Sequence, residues 1–162
     1  MEEADFVQLY DQYHNMVYRI ALVSMRSMQD AEDVVQSVFL KLLEGKCPPE
    51  PGHERGWLAT VTVNACRDLL RWRMRRKTEP LDEQIPFHDP EENALFDAVL
   101  KLPQKYRAAV HLHYFEGYTC DEIGDMLGIT PSAVSMRLHR ARKLLRSELK
   151  EVINETALSE NL

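Results

Sequence analysis

A helix-turn-helix is predicted by one stretch of this 162-residue chain, Thr119–Lys143, which reads TCDEIGDMLGITPSAVSMRLHRARK. Gly124 lacks a side chain and so lets two helices cross closely, while Gly128 suits a turn that reverses the chain within about three residues. Thr130 is a helix-capping residue type, and Pro131 after it fits the first position of the second helix. The apolar residues expected to lock the two helices together are Ile123, Leu127, Ile129, Val134 and Leu138.

The second helix of this motif is predicted to present polar and basic side chains outward. A helix of this kind fits the major groove of DNA, where arginine matches the O6 and N7 atoms of guanine. Positive side chains along the same helix suit the phosphate backbone. The ordinary alternative is a helical hairpin with solvated charges. The candidate DNA contacts are Ser132, Ser135, Met136, Arg137, His139, Arg140, Arg142 and Lys143.

Three further helices are predicted before residue 78, and no segment of the chain shows the alternation typical of a strand. The first covers residues 3–24, and the second follows Ser27, which with Asp30 resembles a capping box. The third is expected over 54–75. In the second helix the predicted inward side chains are Val34, Val35, Val38, Phe39, Leu42 and Leu43. In the third they are Trp57, Leu58, Val61, Ala65, Leu69 and Trp72.

The net charge of −6 is confined to one short segment. Residues 1–78 carry 11 acidic and 11 basic side chains, and residues 93–162 carry nine of each. Residues 79–92 carry six acidic side chains and no basic one. Three prolines at 80, 86 and 90 oppose both helix and central strand there. The segment predicts an extended acidic linker between two all-α domains, so the acidic pI does not argue against DNA binding by either domain.

Several classes of protein are disfavoured by what the sequence lacks. Three widely spaced cysteines without a CxxC pair predict neither a disulfide framework nor a zinc site. His111 and His113 are two residues apart on a predicted helix and so face different directions, which opposes a shared metal. No catalytic motif is recognisable, so we expect no enzyme, no metal and no cofactor. The acidic start and the absence of a long apolar run predict a cytoplasmic protein without membrane insertion.

Two other clusters suggest binding surfaces. Basic residues crowd the end of the third helix around Trp72, and aromatic rings beside arginines can stack on unpaired bases. The alternatives are solubilising arginines and tryptophans in the core, which we expect for Trp57 in particular. Acids begin the second helix, where they either compensate the helix dipole or belong to a protein-binding face with Asp33, Gln36 and Phe39 pointing outward.

The chain resembles the extracytoplasmic-function group of bacterial RNA polymerase sigma factors in three segments that occur in the same order. They are Asp30–Phe39 (DAEDVVQSVF), Gly56–Arg71 (GWLATVTVNACRDLLR) and parts of Leu102–Arg142 (LPQKYR, YFEGYT, EIG and RLHRAR). The resemblance implies sigma domain 2 at residues 1–77, a flexible acidic linker at 78–92, sigma domain 4 at 93–153 and a C-terminal tail at 154–162.

The resemblance also implies partners and the residues that contact them. Core RNA polymerase would be bound through the clamp and the flap of its large subunits, promoter DNA at its −10 and −35 elements, and an anti-sigma factor would regulate the protein. The helix from Pro131 would enter the major groove at −35. The implied polymerase contacts are Asp30, Asp33, Gln36 and Phe39. The implied −10 contacts are Trp57, Asn64, Arg67, Arg71, Arg73, Arg75 and Arg76.

Ser135 and Met136 depart from the Lys and Ser that many relatives carry on the groove-facing helix, so the −35 sequence preference is open. Two other functions are compatible with the residues alone. One is a stand-alone helix-turn-helix regulator, which would need a dimer surface and a palindromic site. The other is a helical interaction module whose basic clusters are solvated.

Overall fold

The computed structural model describes residues 1–46, 50–76 and 90–160, with side chains described up to residue 150 and, in the last range, from 94. The described ranges contain helices and no strand, which confirms the all-α class. The chain divides into two compact units, Met1–Ile85 and Pro86–Leu162. The predicted linker residues 78–89 lie outside the described ranges.

The described part of the first unit contains three helices, α1 (Glu3–Met25), α2 (Met28–Leu43) and α3 (Glu54–Arg76), each packed against the other two. Its core lies along the second half of α1, where Met16 to Met25 include eight buried residues. Arg26 ends α1 in the left-handed conformation with φ 55°. Ser27 then caps α2, because its Oγ accepts a hydrogen bond from the Asp30 backbone N–H at 3.2 Å. The predicted start of the second helix is therefore confirmed.

α3 buries a different face from the one predicted. Its buried residues are Leu58, Ala59, Thr62, Val63 and Cys66. The predicted stripe was right for Leu58 alone, since Trp57, Val61, Ala65 and Leu69 are half-buried and Trp72 is 42% exposed. Small residues on the buried face let the helices approach closely. The Thr62 hydroxyl is satisfied there by donating to the Leu58 carbonyl oxygen at 2.6 Å.

The buried face of α2 agrees with the prediction at four of six positions. Val34, Val38, Phe39 and Leu42 are buried and Val35 is half-buried. Leu43 was predicted to face inward, but it is 57% exposed. It lies beyond the edge of the stripe that α1 and α3 cover.

The second unit contains α4 (Pro90–Leu100), α5 (Gln104–Val110), a π-helical turn (His111–Phe115), α6 (Cys120–Leu127) and α7 (Pro131–Glu160). We call the five-residue segment His111–Phe115 the π turn. α7 packs against α4, α5 and α6, and its Val134, Leu138 and Ala141 are buried.

Two helix boundaries in the second unit, the start of α4 and the end of α7, differ from those predicted. α4 begins at Pro90, inside the predicted extended linker, because proline is tolerated at the first position of a helix. α7 continues through most of the predicted tail to Glu160. Residues 151–160 contain no glycine or proline, so no strong helix-ending signal occurs there.

Candidate nucleic-acid and protein interfaces

α6 and α7 form the predicted helix-turn-helix, held by local hydrogen bonds at both helix starts. The Thr119 hydroxyl accepts from the Glu122 N–H at 3.2 Å, and the Glu122 carboxylate accepts from the Thr119 N–H at 3.1 Å. Gly128 ends α6 in the left-handed conformation with φ 69°. The Thr130 hydroxyl caps α7 by accepting from the Ala133 N–H at 3.1 Å. The turn is thus determined by residues close in sequence.

The outer face of α7 is polar and basic, as the helical spacing predicts. Its exposed predicted contacts are Ser132, Ser135, Met136, His139, Arg140 and Lys143. Arg137 and Arg142 are half-buried, and each donates a hydrogen bond within the unit. Arg137 Nη1 donates to the Lys105 carbonyl oxygen at 3.1 Å, and Arg142 Nη1 to the Tyr114 hydroxyl at 2.8 Å. The remaining N–H groups of each guanidinium can still donate hydrogen bonds to an anion.

The end of α3 presents a second basic surface. Asn64, Arg71, Arg75 and Arg76 are exposed, while Trp57 and Arg67 are half-buried. The Arg76 guanidinium lies 4.5 Å from the centre of the exposed Trp72 ring, a cation–π contact. A surface groove of about 490 Å³ runs beside them, lined by Asp68, Arg71, Met74 and Arg75. This surface combines guanidinium groups with an accessible aromatic face.

Arg73 does not belong to that surface. Its Nη2 donates to Asp30 Oδ1 at 2.5 Å, and the two side chains are only 16% and 11% exposed. Asp30 was predicted to contact polymerase and Arg73 to contact −10 DNA, but the structure directs both side chains toward each other. A buried carboxylate needs a partner, and the start of α2 lies beside the end of α3.

Phe39 is buried, as the apolar stripe of α2 predicts, so the alternative that placed it on an outward polymerase-binding face is wrong. Its ring packs edge-on against Tyr10 and Phe6 of α1, with centroid distances of 4.9 and 6.2 Å. Asp33 and Gln36 are exposed. Leu40 and Leu43 are also exposed and share their side of α2, because positions 33, 36, 40 and 43 follow the helical repeat. Leu40 was not identified from the sequence as part of this exposed face. Its position outside the predicted apolar stripe of α2 could have indicated that it is exposed.

Three buried ionisable side chains, Cys66, His111 and Glu116, each have a hydrogen-bond partner within their own unit. Burial raises the pKa of the Cys66 thiol to about 12, although Ser24 hydrogen-bonds it and opposes the shift. In the second unit, His111 Nε2 donates to the Glu116 carboxylate at 3.0 Å, and both side chains are less than 5% exposed. This pair spans the π turn, in which His111 and Leu112 are buried.

Within the described residues, no group of three or more potential ligands could hold a metal ion. Among the helices described, none has the length and apolar character that crossing a membrane requires.

The fold and these surfaces define a protein of two helical units, each with an exposed basic helix and the second with a helix-turn-helix. Residues 9–76 match the family Sigma-70 region 2, and residues 92–145 match Sigma-70, region 4. The ECF RNA polymerase sigma factor SigM of Mycobacterium tuberculosis is 32% identical over 86% of this chain and 74% of its own length. The chain therefore belongs to the ECF RNA polymerase sigma factors.

Two further proteins extend the comparison. The ECF RNA polymerase sigma factor SigE of Mycolicibacterium smegmatis is 34% identical over 94% of this chain, which spans 64% of the length of SigE. The sigma factor RpoE of Bartonella quintana, solved with the anti-sigma factor NepR, superposes with a TM-score of 0.76. The match covers 90% of this chain and 97% of RpoE at 22% identity, so it bears on the fold.

Proposed function

We propose that this protein binds core RNA polymerase and directs it to promoters with a −10 and a −35 element. The observation that carries the proposal is the presence of one exposed basic helix in each unit, α3 and α7, in a chain of this family. The protein contributes recognition and no chemistry of its own, and it works in the cytoplasm, where polymerase and promoter meet.

Each surface has a separate role in this proposal. α7 enters the major groove at −35, where Arg140 and its exposed neighbours reach base edges and phosphates. The basic end of α3 follows the −10 DNA, and Trp72 with Arg76 offers a stacking platform for an unpaired base. Two weak DNA contacts in one chain strengthen each other through their effective concentration.

The exposed face of α2, made by Asp33, Gln36, Leu40 and Leu43, is the surface proposed to bind the polymerase clamp. Protein interfaces typically surround an apolar core with a polar rim, and this face offers both kinds of side chain. The second unit would contact the flap. An anti-sigma factor is a further proposed partner, supported by the complex in which the related RpoE was solved.

Reconstituted transcription tests this function directly. Purified core polymerase with the full-length protein should initiate from a subset of promoters in a genomic library that core polymerase alone ignores. Transcription from no promoter would contradict the proposal. A stand-alone regulator, which the comparisons do not support, would instead bind a palindromic site without polymerase.

Arg140→Ala should weaken holoenzyme binding to a responsive promoter fragment by about 1–3 kcal/mol, or roughly 5- to 150-fold, because a base-reading arginine is lost. Titration of a labelled promoter fragment at fixed salt measures this. Lys150→Ala is the matched control, since Lys150 is exposed on the same helix about 15 Å further along. Equal affinities for the two variants would contradict the role assigned to Arg140.

A further inference from the structure

We propose that Tyr114 is a positioning residue, which holds the Arg142 guanidinium in place for a phosphate of the promoter. This inference rests on the proposed DNA-binding function of α7. It begins with the hydrogen bond that Arg142 Nη1 donates to the Tyr114 hydroxyl at 2.8 Å.

The π turn places Tyr114 at the surface. Its i to i+5 pattern is visible in the bond from the Glu116 N–H to the His111 carbonyl oxygen at 3.1 Å. Such turns interrupt the regular i to i+4 pattern of an α-helix and are frequent at functional sites. Here the turn leaves Tyr114 49% exposed, while His111 and Leu112 of the same turn are buried. A large ring is thus presented to solvent next to the basic helix.

The Tyr114 ring is itself held in place. It meets the His113 ring edge to face, with centroids 4.8 Å apart and an angle of 80° between the planes. The His113 ring is fixed in turn, because its Nδ1–H donates to the carbonyl oxygen of the buried Tyr118 at 2.8 Å. The Tyr114 hydroxyl that accepts from Arg142 is therefore held in position by contacts within the second unit.

Arg142 lies among groups that favour an anion. Lys143, His139 and Arg146 are its exposed neighbours on α7, and no acid occurs on this helix before Glu148. Arginine has five N–H donors, so one bond to a hydroxyl leaves others for a phosphate. A side chain already held in its bound conformation loses less conformational freedom on binding, which increases affinity.

The test compares the full-length protein with Tyr114→Phe, Arg142→Ala and the double variant, each as holoenzyme on one responsive promoter fragment over a series of salt concentrations. Tyr114→Phe keeps the ring and removes only the hydroxyl. We expect it to weaken binding about 3- to 10-fold through the loss of preorganisation. Arg142→Ala should weaken binding more and reduce the slope of log affinity against log salt by about one.

The decisive readout is coupling. In the Arg142→Ala background the Tyr114→Phe change should have no further effect, whereas a merely structural hydroxyl would give the same loss in both backgrounds. Tyr10→Phe is the matched control, because it removes a tyrosine hydroxyl from the other unit, where the residue is 39% exposed. An unchanged affinity for Tyr114→Phe, or an equal loss in both backgrounds, would overturn the proposal.

A second measurement separates this inference from the proposed function. The same proteins are eluted by salt from immobilised heparin, which presents anions without polymerase. Tyr114→Phe should elute earlier than the unmodified protein only when Arg142 is present. If the unmodified protein supports no transcription but this difference persists, the sigma function fails and the positioning role stands. If transcription occurs and Tyr114→Phe behaves as the unmodified protein in both assays, only the positioning role fails.

Discussion

Asp30→Ala should lower the free energy of unfolding of the first unit by about 3–5 kcal/mol, the range found when one partner of a buried ion pair is removed. The Arg73 guanidinium would then be left largely buried without the carboxylate that it contacts at 2.5 Å. Asp30 also lies in the first turn of α2, where an acid stabilises the helix dipole. Loss of the ion pair and loss of the first-turn charge therefore both destabilise the first unit.

Urea unfolding followed by tryptophan fluorescence measures this change selectively. The two tryptophans of the chain, Trp57 and Trp72, both lie on α3, so their fluorescence reports on the first unit alone. Asp33→Ala is the matched control. It removes an exposed carboxylate from the same helix and should change stability by no more than about 0.5 kcal/mol.

The double variant Asp30→Ala/Arg73→Ala should lose less stability than the two single losses added together. Removing both charges leaves neither one buried and unpaired, which is the costly situation. A loss below about 1 kcal/mol for Asp30→Ala, typical of an exposed pair, would contradict the structural role of this contact. It would return Asp30 to the candidate polymerase contacts.

Gly124→Ala should destabilise the second unit by about 1–3 kcal/mol, the cost typical of overpacking. Helix propensity alone predicts the opposite, a gain of up to about 1 kcal/mol. The steric effect dominates because an added Cβ would lie 2.7 Å from the Ile129 carbonyl oxygen. That oxygen belongs to the backbone of the turn and cannot rotate away as a flexible side chain would.

Urea unfolding followed by far-UV circular dichroism measures the stability change of Gly124→Ala. Loss of helix in the second unit changes this signal but not the tryptophan fluorescence, since both tryptophans lie in the first unit. Gly56→Ala is the matched control. Gly56 lies near the start of α3, and a Cβ added to it would meet nothing within 4 Å. We expect its stability to be unchanged or to rise by up to about 1 kcal/mol. If Gly124→Ala also gains stability, the two helices do not cross as closely as described.

The candidate surfaces were predictable to different degrees. On α7, the buried Val134 and Leu138 and the exposed Arg140 follow from the helical repeat, because large apolar residues face the core there. On α3 the same reasoning assigned Trp72 to the core, although Thr62 and Cys66 are the residues buried. Size and apolarity are poor guides where small residues allow helices to pack closely.

The all-α class, the helix starts at Ser27, Thr119 and Thr130 and the turn at Gly128 follow from the sequence alone, because caps and helical periodicity act between residues at most a few positions apart. The roles of individual arginines required the tertiary structure. Arg73 meets Asp30 across 43 positions of sequence, and Arg142 meets Tyr114 across 28. No local pattern contains these pairings, since helix packing decides which distant side chains become neighbours and therefore which charges are left to face DNA or a protein partner.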